Sequence, residues 1–249
     1  MSRPRILLVP TLTELEWTIR PLLEEWAEVA SFDGPGVGDA PPSDGTRSEG
    51  TARRGVALVD ELGWDRYVVV GDELGSLAAL LVAQARPGAV RGIALGHPLV
   101  SVDTSGERRP FNVAVVEAHY QLAEASHRAF VRDQFRAWMG LRGEPTHDAD
   151  ALAEAFLLRV PHEVATSFYS DVLENGRRYE IAVRSALDEL MDKPMLLVHH
   201  EGCIMFTPEG FEDAVAALPD AATAATFNKP SVDPAFDGIL RGFVEQLPG

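Results

Sequence analysis

Apolar residues in this chain fall in short, nearly unbroken runs. Six of them, Ile6–Val9, Val29–Phe32, Tyr67–Val70, Ile93–Leu95, Met195–Val198 and Ala224–Phe227, are mostly bounded by Gly, Pro or Asp. Runs of this length with little polar alternation predict strands buried on both faces, as in a parallel sheet. Between several of them the spacing becomes helical. Leu15–Ala27 is rich in Trp, Leu and Ile; Thr51–Leu62 stops at Gly63; Leu74–Ala85 ends before Pro87. Gly and Pro are the expected helix stops, for backbone reasons. Strands and helices alternating over short connections predict a doubly wound α/β sheet. The stretch Gly34–Gly50, rich in Gly, Pro, Ser and Asp, predicts a surface loop.

The alternation breaks between Leu99 and Asp192. That stretch has no convincing strand, and its apolar residues keep helical spacing around Val113–Leu122, Phe130–Met139, Leu152–Val160 and Ile181–Met191. It predicts a helical insertion between two core strands. The expected organisation is therefore a core formed by residues 1–100 and 192–249, with 101–191 as a helical cap. There is no internal repeat and no low-complexity tract.

Composition narrows the picture. With 249 residues, 46% of them hydrophobic, the chain can bury a sizeable core. Thirty-eight acids against 22 bases give a net charge of −16. A polyanion would be repelled, which speaks against nucleic acid and against an anionic membrane surface; otherwise the charge serves solubility. The apolar run Ile6–Val9 is too short for a signal-peptide core or a membrane span. The single cysteine, Cys203, permits no intramolecular disulfide, and a cytoplasmic location is the expectation.

Three stretches resemble the α/β-hydrolase superfamily. Ser31-Phe32-Asp33-Gly34-Pro35-Gly36-Val37-Gly38-Asp39 is similar to its strand and glycine-rich loop before the second helix. Val68-Val69-Val70-Gly71-Asp72-Glu73-Leu74-Gly75-Ser76-Leu77-Ala78-Ala79 matches the strand–elbow–helix frame that sets a nucleophile between two glycines, with Glu73 where serine normally stands. Lys193-Pro194-Met195-Leu196-Leu197-Val198-His199-His200-Glu201-Gly202-Cys203 resembles the late strand and loop that carry the acid, with Cys203 in the acid's place. The resemblance implies an α/β-hydrolase fold: a mainly parallel sheet of about six strands, with the helical cap inserted after the strand that follows the elbow helix. It also implies backbone amide donors at Thr11, Leu12 and Leu74.

The departures matter as much. The family's first two antiparallel strands have no counterpart. Pro10-Thr11 stands where His-Gly is usual, and Thr226–Pro234, where the catalytic histidine is expected, contains none. An acyl-enzyme route needs a hydroxyl nucleophile and an oriented base, so an ordinary serine hydrolase is excluded. Glu73 at a helix N-terminus would be held as an anion by the dipole and as a neutral acid by burial. Three roles stay open for it: general acid or base, nucleophile (relatives such as haloalkane dehalogenases and epoxide hydrolases use Asp there), or an inert carboxyl.

His97 ends the strand after the elbow helix, and His199 and His200 end the next core strand. Strand carboxyl ends line the crevice of an open α/β sheet, so these can reach Glu73. His97 and His200 are the catalytic candidates beside Glu73. His199 and Cys203 are weaker ones, a packing histidine and a small apolar filler being the alternatives. His119, His127, His147 and His162 fall in the cap as surface or core residues. Adjacent strand residues point to opposite faces, so His199, His200, Glu201 and Cys203 make a poor metal site. Gly36-Val37-Gly38 is too short, and follows the wrong strand, for a dinucleotide fingerprint. No metal and no cofactor is expected. Two functions compete. One is an enzyme of altered chemistry (cyclase, lyase, isomerase or unusual hydrolase) using Glu73 as acid/base on a small, largely apolar organic molecule. The other is a non-catalytic binding or sensor protein. The expected partners are that small molecule and, for a homodimer, a second copy of the chain.

Overall fold

The computed structural model describes residues 3–98, 100, 113–141, 148–200, 203, 206–219, 222–227 and 232–248. Six strands, β1 (Arg5–Val9), β2 (Glu28–Ser31), β3 (Tyr67–Asp72), β4 (Val90–Gly96), β5 (Met195–His200) and β6 (Thr223–Phe227), pair side by side in the order β2-β1-β3-β4-β5-β6. Every pairing is parallel. Each of the six predicted runs lies on its own strand, or within a residue of it.

The unbroken apolar runs have a simple cause. Side chains alternate across a strand, and both faces of this sheet are covered. Leu7, Val9, Val69, Ile93, Leu95 and Leu197 join one apolar cluster; Ile6, Leu8, Val68, Val70, Ala94, Leu196 and Val198 join the other. The first cluster is closed by α2 (Arg47–Glu61), α3 (Leu74–Ala85) and the helices between β4 and β5. The second is closed by α1 (Arg20–Leu23) and the last helix, α8 (Val232–Gln246).

Two predicted boundaries are corrected. The expected helix Leu15–Ala27 is a 3₁₀ turn, Glu14–Glu16, followed by the four-residue α1. Pro21 has no N–H to bond four residues back and is tolerated only in a first turn, so a single helix through this stretch is interrupted. The second helix begins at Arg47 rather than Thr51, inside the stretch expected to be loop. The Thr46 hydroxyl accepts from the Glu49 amide and the Glu49 carboxylate accepts from the Thr46 amide, a reciprocal cap that starts the helix early.

Between β4 and β5 the described residues are helical: α4 (Val113–Leu141, with a break at Ser126), α5 (Ala149–Arg159) and α6 (His162–Glu189). Helix α6 packs along α3. The Arg159 guanidinium at the end of α5 bonds Glu14 and Asp33, beyond β1 and β2, and Arg47 at the start of α2 donates to the Ser167 hydroxyl of α6 at 2.9 Å, so polar ties fix these helices to the core. One further helix, α7 (Pro208–Ala217), follows β5.

Candidate active site

The site is built at the carboxyl ends of β1, β3 and β4. At the end of β3 the chain turns directly into α3, and Glu73 is the residue on the turn, with φ 49° and ψ −120°. A non-glycine residue in this region is strained, and such strain persists where the surroundings enforce it. Here they do: the Glu73 amide donates to the Gly96 carbonyl at 2.9 Å and to Asp72 Oδ1 at 3.0 Å, and its carbonyl accepts from the Ser76 amide at 3.1 Å. Among the described residues, neither the Glu73 carboxyl nor the Leu74 N–H makes a hydrogen bond.

Facing the elbow is the turn after β1. The Thr11 hydroxyl donates to the Asp72 carbonyl at 3.1 Å and accepts from the Gly75 amide at 3.4 Å, which locks the turn to the elbow. The Thr11 and Leu12 amides, two of the three donors expected from the sequence, are both engaged. Thr11 N–H donates to Glu16 Oε2 at 2.9 Å, Leu12 N–H to Glu16 Oε1 at 3.0 Å, and Thr13 N–H to the same Oε1 at 3.3 Å. Sequence reading missed Glu16. The signal was present as Thr13-x-x-Glu16, a reciprocal cap, but it lay inside the stretch read as one helix.

The Glu16 carboxyl lies near enough to Glu73 for its charge to act there. Both glutamates keep partial solvent contact, yet protein crowds both carboxyl groups. Burial pushes Glu16 up to about 7, against the pull of its three amide donors and with a small further rise from Asp72. Burial, then the Asp72 and Glu16 charges, hold Glu73 well above the usual carboxylate range. Tyr169 of α6 lies within electrostatic range of both; its phenol is raised mainly by burial and stays protonated. Its ring meets Phe130 and His119 edge-on, with centroids 5.9 Å away in each case. Burial lowers the His119 imidazole, keeping it neutral.

His97 is the second strained residue, with φ 46°. Its Nδ1 lies 3.0 Å from Asp72 Oδ1, the oxygen that also accepts the Glu73 amide. Asp72 thus connects His97 to the elbow backbone. The His97 ring stacks on Phe206 at 5.0 Å and meets His199 at 5.3 Å, and His199 stacks on Phe211 at 4.7 Å. A small cavity lies among these rings, lined also by Leu197 and Ala214. His199 is buried, and Cys203 packs against the larger apolar cluster. His200 closes β5; its side chain lies outside the described residues, as do His147, Glu201 and the stretch 228–231. His127 and His162 pair with each other at 5.1 Å on the helices between β4 and β5. Among the described residues, no three His, Cys, Asp or Glu side chains are arranged to hold a metal ion, and no helix is long and apolar enough to cross a membrane.

The raised carboxyls fix the sign of a pH effect. Below pH about 4.5 Glu16 is protonated folded or unfolded, and above about 7 it is ionised in both states. Between the two the folded protein holds the extra proton, so stability falls as pH rises. The full range amounts to at most about 3 kcal/mol for Glu16, and Glu73 adds in the same direction. The thermal midpoint is expected to drop between pH 5 and pH 8, and Glu73→Gln to raise it at pH 8 and flatten the slope. Differential scanning fluorimetry across this range decides it; a midpoint that rises with pH contradicts the electrostatics described here.

No family model matches the sequence, and no curated protein matches it. Solved structures do. A serine hydrolase from the polyaromatic hydrocarbon-degrading bacterium Cycloclasticus zankles aligns with a TM-score of 0.73 at 16% identity, covering 98% of this chain and 90% of that one. A hydrolase from Oleispira antarctica gives 0.69 at 15% identity, over 99% and 92%. A loop variant of a haloalkane dehalogenase from Bradyrhizobium elkanii gives 0.64 at 16% identity, over 98% and 90%. These likenesses establish the fold: the chain has the α/β-hydrolase fold. At such identities they do not carry an activity across.

Proposed function

We propose that the protein is an enzyme of the α/β-hydrolase fold in which Glu73 acts as general acid and base on a small, largely apolar molecule, with residues 101–191 as a cap over the site. One observation carries the reading. The elbow position, where the backbone is strained to present a side chain, bears a carboxyl whose proton burial and two neighbouring acids hold on to well above the usual carboxylate range. A carboxylic acid tuned toward the working pH is suited to proton transfer, and a neutral acid is a weak nucleophile. Tyr169 lies within electrostatic range of Glu73 and packs edge-on against Phe130 and His119.

The step conserves protons. The Glu73 O–H bond breaks as its proton goes to a lone pair on a substrate oxygen, leaving the Glu73 carboxylate. That carboxylate later takes a proton from the rearranged substrate, and the acid is regenerated without a co-reactant. Rearrangement, cyclisation and elimination all fit this cycle.

The test uses wild-type protein and Glu73→Gln against a panel of small apolar alcohols, ethers and enols, read in single turnovers. Turnover by wild type and its loss in the variant support the reading; equal rates remove Glu73 from the mechanism. A serine-directed fluorophosphonate provides a second check. It is expected to leave every serine unmodified, and stoichiometric labelling would mean that a hydroxyl nucleophile had been missed. A binding protein would turn over nothing in either form.

A further inference from the structure

In this fold a reacting oxyanion is held by two kinds of backbone N–H: that of the residue after the elbow and those of the loop after the strand beside it. Here the second kind is already satisfied. The Thr11, Leu12 and Thr13 amides all point at one internal carboxylate, Glu16, at 2.9–3.3 Å. The turn that carries them is bonded to the elbow through Thr11, which joins the occupied cradle to the turn that bears Glu73. A carbonyl oxygen developing negative charge reaches these N–H groups only by displacing Glu16, and otherwise faces a carboxylate. The acidic groups acting on Glu73 are Asp72 and Glu16, with the Tyr169 phenol opposite. Among the described residues, no cation is among the groups that perturb Glu16 or Glu73.

We propose that Glu16 stands, as part of the protein, in the place of the oxyanion, so that the site assists reactions that build positive rather than negative charge on the substrate. The proposal rests on Glu73 as proton donor. Electrostatic catalysis works by fixed groups complementary to the charge that develops. Glu73 protonates a substrate oxygen. The C–O bond then breaks with its electron pair on that oxygen, and positive charge appears on carbon facing the Glu16 carboxylate. Loss of a proton from the neighbouring carbon to Glu73, or attack by a hydroxyl of the same molecule followed by that transfer, ends the reaction. The substrate class is therefore an alcohol, ether or acetal that ionises under acid, rather than an ester or amide.

Two measurements test it. The first is a ¹⁵N–¹H titration of wild type, Glu16→Gln and Glu73→Gln between about pH 5 and pH 9. The Thr11 and Leu12 amides are expected to shift together in wild type with a midpoint near the about 7 of Glu16. That transition should vanish in Glu16→Gln and persist in Glu73→Gln. Amides that do not titrate in wild type, or that titrate equally in Glu16→Gln, overturn the placement. The second compares benzylamine with benzoate, rings of similar size and opposite charge. At about pH 8, where Glu16 is ionised, wild type is expected to favour the ammonium by about two- to fivefold, as one partly shielded charge pair supplies, and Glu16→Gln to lose that preference. Equal binding, or preference for benzoate with shifts at Thr11 and Leu12, overturns the proposal. Should Glu16→Gln fail to fold, both wild-type measurements still decide. If instead the Glu73 reading is wrong, Glu73→Gln keeps full turnover while the amine preference stays intact, so the two failures are distinguishable.

Discussion

Glu73→Gln is expected to slow turnover by about 10²–10⁴-fold, the usual worth of a positioned general acid or base. The substitution keeps side-chain length and shape and replaces the titrating O–H with an amide. Because the Glu73 carboxyl makes no hydrogen bond among the described residues, no protein partner is lost with it. Its burial and its acidic neighbours make the ionised form costly, so removing the charge should leave folding intact or improved. The loss should therefore appear in kcat, with KM nearly unchanged, the signature of an interaction made in the transition state. The pH profile separates this from a structural defect. Wild-type activity should fall at high pH as the Glu73 proton is lost, and Glu16→Gln should move that limb to lower pH, because one of the charges holding Glu73 up is gone. A structural lesion at the elbow would lower the whole profile without displacing it.

The sheet was legible in the sequence because its signal is physical and local. A strand covered on both faces must be apolar at successive positions, and Ile6-Leu7-Leu8-Val9 and Leu196-Leu197-Val198 are just that. Helix ends were legible where Gly or Pro marks them, as at Leu74–Ala85, predicted and observed with the same limits. They were not where a side chain sets the boundary: Thr46 with Glu49, and Thr13 with Glu16, cap their elements through bonds that hydrophobic spacing does not register.

The site divides in the same way. Glu73 was found because two glycines frame it. The engagement of Asp72 with His97, and of Glu16 with Thr11 and Leu12, was not found, because these partners meet only once β1, β3 and β4 lie side by side. His97, expected at a strand end within reach of Glu73, has its Nδ1 beside the Asp72 oxygen that also accepts the Glu73 amide. Its strained backbone, like that of Glu73, follows from tertiary contacts rather than from any local sequence preference.

The elbow itself supplies the largest expected effect on stability. A methyl group on Gly75 would lie 2.7 Å from the Val9 carbonyl oxygen and 3.2 Å from the Pro10 carbonyl. On Gly71 it would clash with the Gly75 carbonyl oxygen and lie 2.8 Å from the Ala79 methyl. These neighbours are backbone atoms of buried strand and helix, or a side chain too short to swing away, so only a shift of α3 against β1 and β3 can relieve the contact. Overpacking of a dense interior costs typically 1–3 kcal/mol and more where backbone must move, so Gly75→Ala is expected to destabilise by about 3 kcal/mol, and Gly71→Ala by at least as much. The same shift would draw the Gly75 amide from the Thr11 hydroxyl and loosen the turn that carries Glu16. Denaturant unfolding of Gly75→Ala should therefore show a lower midpoint with an unchanged slope, together with weaker pH dependence of the Thr11 and Leu12 amides. By contrast Gly88→Ala, where an added methyl meets nothing within 4 Å, should leave both unaltered. A Gly75→Ala protein as stable as wild type would mean that strand and helix are not in the close contact on which the presentation of Glu73 depends.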